Sequence, residues 1–118
     1  MRSFFLICVC AAASIFPAAA PAASYEPADC QKADIPALAT ICSNYELGQA
    51  EARMATLYGI AASLIGMGQR GDLVDAQRAW LSERDLCGQD TACLRGAYAR
   101  RIRQLDTVIA GIASRGPY

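Results

Sequence analysis

The chain is 118 residues long, 54% apolar, and carries eleven basic and eleven acidic side chains with no histidine. Formal neutrality withholds the positive field that a nonspecific nucleic-acid binder needs. The missing imidazole removes the commonest general base and metal ligand.

The chain opens on Arg2, an apolar run from Phe4 to Phe16 and an Ala/Pro-rich stretch from Pro17 to Ala23. This is the layout of a secretory signal peptide. Cleavage is expected near Ala22 or Ala23, so that residues 1–23 leave and residues 24–118 form one small helical domain. The run falls short of the roughly 20 apolar residues of a membrane span. Ile7 and Val9 stand where lipid attachment at Cys8 or Cys10 wants a small residue. A periplasmic or secreted protein with no membrane contact after signal cleavage is expected.

Four cysteines then fall into two close pairs, Cys30 with Cys42 and Cys87 with Cys93. A leader followed by an even cysteine count reads as an exported domain stapled by disulfides. Four cysteines allow three pairings, and local pairing is preferred because it closes the shortest loops. A loop of ten to fifteen residues closed in this way stabilises by roughly 3 kcal/mol in the chain-entropy model. Without a CxxC or a histidine, zinc is the weaker use of these thiols.

Beyond the first cysteine the pattern is helical. Pro36 suits the first turn of a short helix ending near Cys42. Ser43 with Glu46 forms a capping box for a helix running to about Ile65, with Leu47, Ala50, Met54, Leu57, Ala61 and Leu64 on one side. Gly66, Gly68 and Gly71 are expected to break it, and Asp72 to cap the next helix. That helix turns Leu73, Ala76, Trp80 and Leu81 inward and stops at Cys87-Gly88. Asp90 caps a last helix striped by Leu94, Tyr98, Ile102, Leu105, Ile109 and Ile112. The expected fold is all-α: a small antiparallel three-helix bundle with a short N-terminal helical segment and two disulfides.

Helical phase also carries polar groups inward. Gln77 and Arg84 share the inner face with Trp80, Arg101 falls between Tyr98 and Leu105, and Glu51 flanks the first stripe near Tyr58. A lone buried charge costs several kcal/mol. Arg84 and Arg101 are therefore expected to reach Glu51, Asp85 or helix-end carbonyls.

Charge is unevenly spread. From Asp72 to Asp90 five acids meet two arginines, and from Thr91 onward five arginines meet one acid. Dipole bias and solvated faces explain this, and so do two patches facing a charged partner. No catalytic residue, metal ligand or cofactor site is expected. No serine or cysteine has an evident activating partner, and Asp29 with Asp34 and Asp72 with Asp75 read as caps and turn formers. Gly66 to Gly71 follows a helix where a phosphate loop follows a strand. Arg100, Arg101 and Arg103 form too short a run for nucleic acid.

The stretch Gln77-Arg78-Ala79-Trp80-Leu81-Ser82-Glu83-Arg84-Asp85-Leu86-Cys87, continued through Gly88-Gln89-Asp90-Thr91-Ala92-Cys93-Leu94, Ala97-Tyr98 and Arg101-Ile102, resembles the LprI-like lysozyme-inhibitor family. Its upstream companions are Asp29-Cys30, Ile41-Cys42-Ser43 and Glu46-Leu47. The resemblance covers nearly all of the expected mature domain. It implies a small exported four-cysteine helical domain, not an enzyme, whose partner is lysozyme.

An inhibitor would fill the lysozyme cleft with a protruding loop. Two are on offer: the Gly66–Gly71 turn with Gln69 and Arg70, and the Cys87–Cys93 loop with Gly88, Gln89 and Thr91. The second is slightly favoured, because its disulfide stiffens it and the acidic stretch beside it can steer a basic partner. Each also serves as a plain helix connection. A non-inhibitory module that binds another envelope protein is the alternative, marked by a large exposed apolar patch.

Overall fold

The computed structural model describes residues 28–115, and the expected leader and its cleavage site lie outside them. A 3-10 turn at Cys30–Lys32 leads into four helices: α1 (Pro36–Ser43), α2 (Tyr45–Leu64), α3 (Met67–Leu86) and α4 (Thr91–Ala113). Cys30 bonds to Cys42 and Cys87 to Cys93, so local pairing is the one adopted. The all-α bundle and its short leading helix are as expected.

Three connections explain the topology. Pro36 occupies the first turn of α1, and Asn44 in an extended conformation separates α1 from α2. The Asn44 side chain accepts the Leu47 N–H at 3.1 Å. The cap is therefore Asn44 and not Ser43, whose hydroxyl instead donates to the Thr40 carbonyl within α1. Asp90 caps α4 as expected, its carboxylate accepting from the Ala92 and Cys93 amides, each at 3.0 Å.

The glycine-rich stretch departs from expectation. Only Gly66 stands outside a helix, in extended backbone, and α3 already begins at Met67. Gly68, Gly71 and Asp72 are helical, and Asp72 caps nothing. Two interior glycines weaken a helix by about 1 kcal/mol each, but Leu73, Gln77, Trp80 and Arg84 all bury on the same α3 face. That burial carries the helix back through its glycines.

Helices α2 and α4 form the principal pairing, with α3 packed on α4 and α1 lying against α2 and α3. Ion pairs show the direction of the main pair. Glu46 meets Arg95 at 3.0 Å and Arg53 meets Asp106 at 3.7 Å, so α2 and α4 run parallel, and α3 connects them in the opposite direction. Both pairs are exposed and stabilise little. The core is apolar: Ile41 from α1; Leu47, Met54, Tyr58 and Ala61 from α2; Leu73 and Trp80 from α3; and Leu94, Tyr98 and Leu105 from α4. Leu64 and Ala76, expected inside, are exposed. Leu64 is the last residue of α2 and falls off the packed face, which Ala61 and Ile65 carry on past it. No described helix is long and apolar enough to cross a membrane.

Candidate functional site

Two arrangements stand out from the packed helices: a polar network inside the bundle and the stapled turn it adjoins. Inside, Glu51 of α2 is buried. Its Oε2 accepts the Tyr98 hydroxyl at 2.6 Å, its Oε1 accepts the Ala28 amide at 3.1 Å, and Arg84 Nη1 lies 3.6 Å away. Arg84, only 4% exposed, also grips Asp85 through Nε at 2.9 Å and Nη2 at 2.7 Å. Its guanidinium sits 5.6 Å from the Trp80 ring centre. Trp80 donates its indole N–H to the Ala97 carbonyl at 3.1 Å and meets Tyr98 edge-on at 5.3 Å. One cation therefore bridges two carboxylates, Glu51 of α2 and Asp85 of α3, against an aromatic wall. The expected partners of Arg84 are the ones found.

Arg101 differs. Its Nε donates to Gln77 Oε1 at 2.9 Å and its Nη1 to Gln104 Oε1 at 3.2 Å, and no carboxylate or helix-end carbonyl is involved. Gln77 uses its other end on Met54 sulfur at 3.2 Å. Gln77, one turn before Trp80 on the buried face of α3, supplies the acceptor in place of a carboxylate. Burial without a counterion lowers the proton affinity of the Arg101 guanidinium.

Burial raises the pKa of Tyr98 above the ordinary phenol value, and the Glu51 charge raises it further. The folded protein thus holds this proton where an unfolded chain would lose it. A raised folded-state pKa contributes stability that is complete below the unfolded value, about 10, and fades as pH climbs past it. In an absorbance titration of the phenolate, Tyr98 is expected to hold its proton above the ordinary phenol range and to release it only with alkaline unfolding. Replacing Tyr98 by Phe should remove that late step. A titration curve identical in Tyr98→Phe would contradict the buried assignment.

The turn between α3 and α4 is built on this network. Cys87 and Gly88 donate their amides to Arg84 and Asp85 carbonyls, and the Asp90 amide returns to the Cys87 carbonyl. Gly88 has φ 56°, the left-handed conformation in which a Cβ would be strained. The Cys87–Cys93 bond and the Asp90 cap close the turn from both sides. Gln89 is exposed, whereas Gly88 and Thr91 are half-buried. Leu86, the last residue of α3, is 87% exposed beside them. Sequence reasoning gave Leu86 no role; its place beside the stapled turn makes it a projecting apolar residue.

The other expected loop is absent as a loop. Gln69 and Arg70 lie in the first turns of α3. Arg70 folds back, with Nη2 donating to the Ile65 carbonyl at 3.5 Å and Nη1 near Met67 sulfur at 3.8 Å. The two regions stand at opposite ends of α3, about 30 Å apart at 1.5 Å per residue. No single small epitope joins them. The acidic stretch is also thinner than its composition: Asp85 is held by Arg84, Asp90 by the α4 amides, and Asp75 lies 3.4 Å from Arg78. Asp72 and Glu83 are the exposed acids of α3 for which no pairing is seen.

A small helical domain, stapled at its first turn and again across the α3–α4 turn, with charge buried as internal framework and that second turn presented to solvent, is the class these features define. The model of the family "Lysozyme inhibitor LprI" matches residues 28–114, and the chain belongs to that family. It is an inhibitor family, not an enzyme family. No curated protein and no solved structure matches the chain.

Proposed function

We propose that this protein is an exported inhibitor of lysozyme and that the α3–α4 turn is the surface that meets the enzyme. Family membership supports the target class. The observation that carries the choice of surface is the stapled turn with Leu86 and Gln89 on its outer side. Lysozymes cleave a glycosidic bond between two carboxyl groups in a cleft. An amide such as that of Gln89 donates hydrogen bonds to a carboxyl, and Leu86 supplies apolar contact beside it. The disulfide and the Asp90 cap remove backbone freedom before binding, so little entropy is lost on association.

The periplasm or the cell exterior fits the two disulfides and the expected leader. Asp72 and Glu83 on the open face of α3 would speed encounter with a basic lysozyme, an effect that fades with salt. Binding to another envelope protein is the second reading, favoured by Ile60, Leu64 and Met67, exposed apolar residues around the opposite α2–α3 turn. Hydrolysis of bacterial cell walls by hen-type and goose-type lysozymes, with the oxidised protein titrated in, tests the first reading. Loss of cleavage at near-stoichiometric protein is expected with at least one enzyme. Unchanged cleavage by both would transfer the case to the α2–α3 end.

A further inference from the structure

A groove of about 410 Å³ runs between the N-terminal half of α3 and the C-terminal half of α4, remote from the stapled turn. Leu73, Val108 and Ile112 are among its apolar walls, and Arg101 belongs to its lining. Arg101 is 4% exposed and its Nη2 is buried without a hydrogen-bond partner. Nε and Nη1 are taken by Gln77 and Gln104. Arg101 makes no ion pair among the described residues, unlike Arg84, which is bracketed by Glu51 and Asp85. On the rim, Asp72 and Arg115 balance each other in formal charge. The net charge of the groove is therefore that of Arg101.

A cation left without a counterion against apolar walls is costly for the fold and favourable for an anion that brings its own apolar part. Water or chloride satisfies only half of that description. We propose that this groove binds a carboxylate carried on a short aliphatic group, with the Arg101 guanidinium as its anchor. The carboxylate meets Nη2, and the chain lies along Leu73, Val108 and Ile112. Such a ligand displaces no existing hydrogen bond, because Gln77 and Gln104 hold the other two nitrogens. Free alkanoates and the carboxy-terminus of a peptide ending in a small apolar residue share this chemistry. The site is independent of the lysozyme-facing turn.

Titrating the oxidised protein with octanoate, octan-1-ol and acetyl-Ala-Val, followed by amide chemical shifts, tests it. Octanoate or the peptide is expected to bind about tenfold more tightly than octan-1-ol, the worth of one charge-assisted hydrogen bond. Whichever of the two binds better identifies the source of the carboxylate. Arg101→Met should reduce the preferred acid to the level of the alcohol. Since Arg101 also supports the core, Gly111→Leu provides the second variant. A Cβ at Gly111 meets nothing within 4 Å, and Gly111 lines the groove, so leucine fills it from an exposed helical position. Gly111→Leu should abolish binding while the protein stays folded. Equal binding of acid and alcohol, no binding of either acid, or undiminished binding in Gly111→Leu would each overturn the proposal.

Discussion

Replacing Arg84 by Met is expected to lower the melting temperature by about 12 °C or more. Removing one partner of a buried ion pair destabilises by about 3–5 kcal/mol, and each kcal/mol moves a domain of this size by about 4–8 °C. Methionine keeps most of the aliphatic stem, so the loss reports charge rather than volume. Glu51 would retain the Tyr98 hydroxyl and the Ala28 amide, but its charge would be stranded among apolar residues. Exchanging Glu51 for Gln in the same chain should recover part of the loss, since the amide oxygen can accept the Ala28 N–H while the amide nitrogen donates to the Tyr98 hydroxyl, which turns to accept. Thermal melts of the two single variants, the double variant and the parent would measure that coupling. An unchanged melting temperature in Arg84→Met would show that the pair holds nothing together.

Trp80→Ala is expected to cost a comparable amount, about 3–5 kcal/mol for the removal of a buried aromatic. Trp80 is 5% exposed and touches three parts of the framework at once: the Ala97 carbonyl, the Tyr98 ring and the Arg84 guanidinium. Trp80→Phe should lose far less, about 1 kcal/mol, because it keeps an aromatic wall and forfeits chiefly the indole hydrogen bond. Urea unfolding followed by far-ultraviolet circular dichroism is the suitable measurement, since the chain has a single tryptophan and both variants lose it as a fluorescent probe. Equal losses for Phe and Ala would mean that the ring itself contributes little.

Helical phase made most of the interior legible. It carried Leu94, Tyr98, Leu105 and Ile112 inward on α4, and it singled out Gln77, Arg84 and Arg101 as polar residues that could not reach solvent. All three are buried. The Arg84–Glu51 contact followed from elementary electrostatics, because an inward guanidinium needs a carboxylate and few were within reach. The Arg101 partners did not follow. Two amide oxygens from Gln77 and Gln104 took the place of a carboxylate, a choice set by three-dimensional packing that no single helix encodes.

Glycine misled in one place and informed in another. At Gly66, Gly68 and Gly71 local propensity argued for a loop, yet the inner face of α3 reimposed the helix from Met67. At Gly88 the stop was real, because a left-handed residue and a disulfide coincide there. The Asn44 cap was misplaced by one residue, since both Ser43 and Asn44 can cap and only the break between α1 and α2 decides between them. Leu86 went unnoticed for a different reason. Its exposure depends on where the last turn of α3 ends relative to the staple, which periodicity does not resolve.

The framework and the binding surface make separable demands, and one comparison exposes them. Lysozyme inhibition should be measured for the parent protein and for a Leu86→Ser, Gln89→Ala double variant, with melting temperatures recorded alongside. Both side chains point to solvent, so the variant should melt with the parent and inhibit at least about tenfold more weakly. A variant that inhibits as well as the parent, against a lysozyme the parent inhibits, would contradict the assignment of the α3–α4 turn as the lysozyme-binding surface.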